Sequence, residues 1–218
     1  MEKKLSKESI IMAMLNASFT YSAGAASLSD IADSLGVKKA SLYNHFTGRE
    51  DIVAKTTEFC ADYMRAVSFI PHNIKEIVQK YPAALAFKGI AKSFFKMHTQ
   101  EPLFQVYTFV HTQKFFSAKS AAVANESSLK LSTQVCQILE LLCEAKKIAP
   151  LPKSEILDLG KRFSAGIQNL LCDYLVERKI LVMQNPASGQ GELFALPESS
   201  SVLKDLDSLT SSFFSKIE

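Results

Sequence analysis

The chain of 218 residues lacks most of the marks of a secreted protein or a membrane protein. Its apolar run at 10–15 is too short for a signal peptide, and no run approaches the roughly 18 residues of a membrane span. None of its cysteines forms a CxxC pair or stands at zinc-ligand spacing from a histidine. We therefore expect a cytoplasmic protein with reduced thiols. The expected role of each thiol is that of a small buried apolar group, with redox sensing by one of them as the alternative, and the cysteines are Cys60, Cys136, Cys143 and Cys172.

Sequence signatures of catalysis are also missing. The chain has no GxSxG, HExxH or GxGxxG pattern and no P-loop, so we expect neither an enzyme nor a cofactor. His98 and Glu101 could share a helix face, but Pro102 follows directly and indicates a helix boundary. A lone pair of this kind is typical of a protein surface, and we expect no metal. The formal net charge of +3 permits nucleic-acid binding without favouring it, so any such surface must be local.

The chain does have strong helical periodicity, and it shows no alternation typical of strands. The spacing of its apolar residues therefore predicts an all-α protein. A cluster of Gly, Pro and Asn predicts a polar loop at 184–201. The predicted helices lie at 4–21, 27–35, 38–45, 49–68, 73–80, 82–99, 102–116, 119–147, 154–182 and 202–216.

Residues 27–46 carry the pattern with the clearest functional meaning. Ser27 is a helix-capping residue, and Asp30 stands three positions later as in a capping box. Gly36 comes directly after the last apolar residue of this short helix, where a helix commonly ends. A second short helix begins next, and Thr47 is predicted to cap the helix after it. The apolar residues of both helices are spaced to share one small core, and they are Leu28, Ile31, Ala32, Leu35, Val37 and Leu42. This arrangement predicts a helix-turn-helix.

The outward side of the second short helix is polar. Cations, amides and hydroxyls of this kind reach the phosphates and base edges of DNA. The polar residues are Lys38, Lys39, Ser41, Tyr43, Asn44 and His45, with Arg49 at the start of the next helix. Two alternatives remain open: a corner between two helices with a solvated face, and an architectural or protein-binding helical module without sequence specificity.

Residues 10–52 resemble the N-terminal domain of TetR/AcrR-type transcriptional regulators. The resemblance is carried by the runs Asp-Ile-Ala at 30–32, Leu-Gly-Val at 35–37, Ser-Leu-Tyr-Asn-His-Phe at 41–46 and Gly-Arg-Glu at 48–50. It implies a three-helix DNA-binding domain at 1–50 and a helical domain for effector binding and dimerisation at 51–218. It also implies a ligand-responsive regulator, commonly a repressor, that binds a palindromic DNA operator as a homodimer.

The resemblance also implies roles for single residues. Tyr43, His45 and Arg49 match positions that contact phosphates, and Ser27 and Ser41 match hydroxyls that bond phosphate, Ser41 alternatively a base. The positions that face the major groove are those of Lys39, Ala40 and Asn44.

Three departures from the family pattern stand out. Ser22 occupies the place of a glycine that closes the first helix, with Gly24 two residues later. Ser18 stands where an aromatic is usual. These two departures leave the end of the first helix open. Ser29 replaces a basic residue, so this position in the DNA-contacting set offers one cation fewer.

The last two predicted helices carry apolar stripes. The stripe in 154–182 comprises Ile156, Leu159, Phe163, Ile167, Leu170, Leu171 and Tyr174, with small residues Gly160, Ser164 and Gly166 beside it. Two such helices from each subunit could form a four-helix bundle, which predicts a homodimer through the last two helices. The alternative is that both are ordinary core helices.

Aromatic residues are dense between 82 and 116, and a few polar groups interrupt them. An apolar cavity with convergent polar groups suits a small molecule, so we predict an apolar or aromatic effector. A plain aromatic core is the alternative. The candidate ligand-binding residues are Phe94, His98, Phe104, Tyr107, His111 and Asn169.

Overall fold

A computed structural model describes residues 5–184 and 201–217. Within those residues it contains α-helices and turns and no strand, which confirms the predicted all-α class. Residues 185–200 of the predicted polar loop lie outside the described part. In that part, none of the helices is both long and apolar enough to cross a membrane. The helices are α1 Lys7–Tyr21, α2 Leu28–Ser34, α3 Lys39–Leu42, α4 Arg49–Ala66, α5 Ile74–Lys80, α6 Ala83–His98, α7 Leu103–Gln113, α8 Ala118–Glu144, α9 Lys153–Gln184 and α10 Ser201–Phe214.

Two local predictions need correction. The second motif helix was expected to reach His45, but α3 is α-helical only over Lys39–Leu42 and continues as turns. Thr47 was expected to cap α4, but the N-cap is Gly48 and no side chain caps it. Instead Asp51 reaches back from the first turn, and its carboxylate accepts the Thr47 N–H at 3.0 Å and the Thr47 hydroxyl at 3.2 Å. A carboxylate in the first turn is favoured there by the exposed N–H groups of the helix.

The first of two compact units comprises Met1–Val67 and Glu101–Ser127. In it α1, α4 and α7 pack on one another, and α2 and α3 pack together beside α1. Its core is apolar, and its fully buried members include Ile10, Met14, Leu15, Ile31, Ile52, Cys60, Val106 and Val110. The unit that contains the motif thus extends beyond the predicted functional boundary at residue 50, because α4 and α7 complete its core. That functional boundary stays a prediction.

The second unit comprises Ser68–Gln100 and Ser128–Glu218. Aromatic rings on α6, α9 and α10 form its centre. The Phe87 ring lies 4.8 Å from that of Phe163 and 5.4 Å from that of Phe214, measured between centroids. Edge-to-face and tilted pairs of this kind add to the stabilisation that burial alone gives. The apolar stripe predicted on α9 therefore faces this intrachain core along most of its length, with Phe163, Ile167 and Leu171 buried.

Small residues on α9 allow its neighbours to approach. A Cβ atom on Gly160 would lie 2.3 Å from the Sγ of Cys136 on α8, and one on Gly166 would lie 3.0 Å from Leu209 on α10. No side chain fits at the first distance without displacement of the thiol. The small residues predicted to admit another helix are thus used by helices of the same chain.

The close approach of Gly160 and Cys136 predicts that one substitution has opposite effects on stability in two backgrounds. Gly160→Ala should lower the free energy of unfolding by about 1 kcal/mol, because overpacking against Cys136 outweighs the helix propensity of alanine. In a Cys136→Ala background the overlap disappears, and the same change should be stabilising. Chemical denaturation measures both. Gly89→Ala on α6 is the control, since a Cβ there meets no atom within 4 Å; destabilisation by Gly160→Ala in both backgrounds would contradict the assignment.

Candidate nucleic-acid interface

The start of α2 is fixed by the predicted capping box between Ser27 and Asp30. The Ser27 hydroxyl accepts the Asp30 N–H at 3.2 Å, and the Asp30 carboxylate accepts the Ser27 N–H at 2.8 Å. That carboxylate also accepts the Ser27 O–H at 2.7 Å. The backbone and hydroxyl donors of Ser27 hold the pKa of Asp30 below its ordinary value. The hydroxyl proton predicted to reach a phosphate is therefore already donated to a carboxylate.

The turn between α2 and α3 is built on Gly36. Its φ of 66° is in the left-handed region, as the position after the helix predicted. The Gly36 N–H donates to the Asp33 carbonyl at 3.1 Å, and the Val37 N–H donates to the Ala32 carbonyl at 3.0 Å. These two bonds form a Schellman motif. They end α2 sharply and set the direction in which α3 begins.

One buried side chain attaches α3 to the rest of the unit. Leu42 is 1% exposed and belongs to the same core as Ile31 and Ala32. The remaining residues of α3 and the turn after it point outward to different degrees. Lys38, Lys39, Ala40, Tyr43 and Asn44 are exposed, and Ser41 and His45 are half-buried.

The exposed side of α3 offers the chemistry that DNA recognition requires. Two lysines supply positive charge for phosphates, and Asn44, Ser41 and Tyr43 supply hydrogen-bonding groups. Ser29 on α2 is exposed and offers a hydroxyl in place of a cation. Acidic groups stand close by in sequence, with Asp30 in the first turn of α2 and Glu50 and Asp51 in that of α4. The surface therefore combines few cations with several polar groups.

Arg49 at the start of α4 is engaged by protein acceptors. Its Nε donates to the Ala26 carbonyl at 2.9 Å, and its Nη2 donates to the carbonyls of Gly24, at 3.1 Å, and Ala23. Its Nη1 bonds the Glu50 carboxylate at 2.8 Å. The carbonyl contacts were not anticipated, since nothing in the sequence pairs residue 49 with 23–26. Its assignment as a phosphate contact stays a prediction, and it competes with these bonds.

The end of α1 shows the effect of the missing glycine. The helix ends at Tyr21, and Ser22 follows with φ 78° and ψ 155°. Glycine populates this region freely, whereas a residue with a Cβ is strained there. The departure noted in the sequence is thus a serine in a backbone conformation that suits glycine.

The six candidate ligand-binding residues fall into separate places. Phe94 and His98 lie together in the second unit, with ring centroids 4.3 Å apart. Tyr107 and His111 stack at 3.9 Å on α7 in the first unit, where Phe104 packs edge-on against Phe19 of α1. Asn169 is exposed on α9 and donates to Asp173 at 3.2 Å. The candidates therefore form two separate mixed pairs, Phe94 with His98 in the second unit and Tyr107 with His111 in the first, and in each pair one member is buried and the other half-buried.

His98 is held as a neutral donor. Its Nδ1 lies 2.8 Å from the Phe94 carbonyl, and because a carbonyl only accepts, Nδ1 carries the hydrogen. The side chain is 3% exposed. Burial lowers the pKa of His98 to about 4, against a weaker opposing effect of this hydrogen bond. Protonation inside the apolar unit is thus strongly disfavoured.

Comparison with known proteins agrees with this geometry. Residues 21–56 match the model of the bacterial regulatory proteins of the tetR family, a segment that contains the motif and the start of α4. No curated protein sequence matches the chain.

Solved structures extend the similarity to the whole chain. A transcriptional regulator of Rhodococcus sp. Rha1 superposes with a TM-score of 0.59 at 15% identity, covering 98% of each chain. A TetR transcription regulator of Haloarcula marismortui gives 0.60 at 9% identity, covering 97% of each. SmeT, the repressor of the Stenotrophomonas maltophilia multidrug efflux pump SmeDEF, gives 0.55 at 10% identity, covering 100% of this chain and 92% of that one. The resemblance to TetR-type proteins is thereby confirmed.

The buried neutral histidine makes stability depend on pH. Because the unfolded histidine has a pKa near 6.5 and the folded one a pKa of about 4, the unfolded state binds the proton first on acidification. The free energy of unfolding should therefore fall by about 3 kcal/mol from this group as pH drops from 6.5 to 4. Urea unfolding of wild type and His98→Gln across this range measures the difference.

The control is the exposed His72, whose change to Gln should leave the pH dependence as in wild type. NMR titration of the His98 ring checks the same claim without a mutation. An equal fall in His98→Gln and wild type, or a ring that titrates near 6.5, would contradict it.

Proposed function

We propose that this chain, which has the fold of the TetR-family transcriptional regulators, is a ligand-responsive repressor that binds a palindromic DNA operator as a homodimer. The observation that carries the proposal is the polar side of α3, which is presented to solvent by a glycine turn and the buried Leu42. The proposed DNA contacts are Ser29, Lys38, Lys39, Ala40, Ser41, Tyr43, Asn44 and His45, together with Ser27 where a phosphate replaces the Asp30 carboxylate as the acceptor of its hydroxyl proton.

The composition of this surface supports a dimeric mechanism. Sequence-independent affinity for DNA grows with the number of phosphates that cations neutralise. The proposed contacts include two lysines, Lys38 and Lys39, which is a small number of cations. One such domain would bind weakly. Two domains whose recognition helices lie roughly 34 Å apart, one turn of DNA, would engage two half-sites together.

Exposed apolar side chains on α9 support a dimer face. At the helical period they share one side of the helix, opposite the side that carries the buried stripe. These side chains are Ala165, Cys172, Val176, Ile180 and Met183, and all are exposed. We propose that a second copy of this chain covers this face together with α10. This replaces the stripe of Phe163, Ile167 and Leu171 as the surface assigned to the dimer.

The neighbourhood of Phe94 and His98 is the part of the second unit that we assign to effector binding. Ring faces suit an apolar or aromatic molecule, and the neutral His98 places a polar ring among them. An effector that binds only a state with mis-spaced recognition helices would lower DNA affinity by its differential binding free energy.

Selection of duplexes from a random DNA pool tests the DNA-binding proposal, followed by a compound screen for release. A single palindromic consensus with a sharp footprint supports it. Binding of all duplexes with equal affinity would instead favour the architectural alternative, and no binding would overturn both.

Lys39→Ala should weaken binding to the selected duplex and lower the slope of log affinity against log salt by about one, because one phosphate loses its cation. Filter binding or fluorescence anisotropy at several salt concentrations measures this. Lys55→Ala is the control, since Lys55 lies on α4 and pairs with Glu58 at 2.8 Å. An unchanged slope in Lys39→Ala would remove Lys39 from the phosphate contacts.

Val176→Asp should convert the dimer to a monomer, because a carboxylate in an apolar interface is not solvated. Sedimentation velocity gives the oligomeric state. Leu157→Asp is the matched control: Leu157 is exposed on α9 to a similar extent, 51% against 52%, but lies on a different side of the helix. Dissociation by both changes, or by neither, would argue against the proposed face.

A further inference from the structure

We infer that Arg49 is a positioning residue for the DNA contacts, and that it acts by holding the segment 22–26 between α1 and α2. The inference rests on the proposed function. It departs from the role that the resemblance implies, in which Arg49 contacts a phosphate directly.

The donors of Arg49 are largely committed within the protein. An arginine side chain has five N–H donors. Here three go to the carbonyls of Ala23, Gly24 and Ala26, and a fourth goes to Glu50. A phosphate would have to displace these acceptors.

The acceptors lie where the chain provides few other donors. They follow the last turn of α1, and the helix that comes next begins only at Leu28. Carbonyls beyond a helix end depend on side chains, water or turns for their hydrogen bonds. One planar guanidinium serves three of them from a single position, which a lysine ammonium on a flexible stem does not reproduce.

The segment needs such a restraint because Ser22 is strained. Its φ of 78° is in a region that residues with a Cβ rarely adopt, and such a conformation persists only where the surrounding structure holds it. The Ala26 N–H donates to the Ser22 carbonyl at 3.0 Å, which closes the segment directly before Ser27. Relaxation of 22–26 would therefore move Ser27 and the start of α2.

The test measures the affinity and its salt slope for Arg49→Lys and Arg49→Ala on the duplex that wild type selects. Lys39→Ala is measured beside them as the reference for the loss of one phosphate contact. If Arg49 positions the segment, Arg49→Lys should weaken binding about tenfold although the charge is kept, and the salt slope should equal that of wild type in both Arg49 variants. If Arg49 contacts a phosphate, Arg49→Lys should bind nearly as wild type and Arg49→Ala should lose about one from the slope. That second pattern overturns the inference.

Ser22→Gly provides the rescue. Glycine adopts the conformation of residue 22 without strain, so Ser22→Gly should restore most of the affinity lost in Arg49→Lys. It should have little effect on the affinity of a chain that retains Arg49. Equal losses from Arg49→Lys in both backgrounds, or a double variant that does not fold, would overturn the inference.

Amide hydrogen exchange in the free protein separates this inference from the proposed function. Arg49→Lys should speed exchange at Ala26, whereas Lys55→Ala should not. If wild type binds no DNA, the proposed function fails, and the inferred restraint is judged by exchange alone. Unchanged exchange at Ala26 would overturn it.

Discussion

A helix of four residues cannot sustain itself in water, because nucleation costs more than so few hydrogen bonds return. The helix α3 has this length and no side-chain cap, so its existence depends on the burial of Leu42 and on the turn at Gly36. The polar side chains proposed to meet DNA are therefore oriented by apolar contacts on the other side of the same short segment. The proposed recognition chemistry and the core packing thus share one turn of helix.

Local signals predicted this region well. The sequence predicted the capping box of Ser27 and Asp30 and the left-handed Gly36, because each depends on residue types at short, fixed separations. The contacts of Arg49 were not readable, since its acceptors are backbone carbonyls, and any residue type supplies a carbonyl. The end of α3 was missed for another reason. A periodic pattern of eight residues does not reveal that the last of them leave the helical conformation.

Long-range packing was predicted less fully in the second unit. The stripe on α9 was correctly read as apolar, but apolar character does not say whether a surface is covered by the same chain or by another copy. Gly160 and Gly166 resolve this for one side of the helix, since Cys136 and Leu209 fill the space that they leave. The aromatic density of α6 likewise did not separate a packed core from a ligand site, and the candidate residues proved to be divided between two units.

The carboxylates close to α3 in sequence have a consequence for how such a regulator would search for its site. Asp30 and Asp51, in the first turns of α2 and α4, would repel every phosphate alike, whatever the base sequence. A repulsion of this kind lowers the occupancy of the vast excess of bulk DNA. Fewer molecules are then held on irrelevant duplex, and more remain free to exchange on and off the operator. A recognition surface with little positive charge thus favours fast turnover at the site over tight retention on DNA in general.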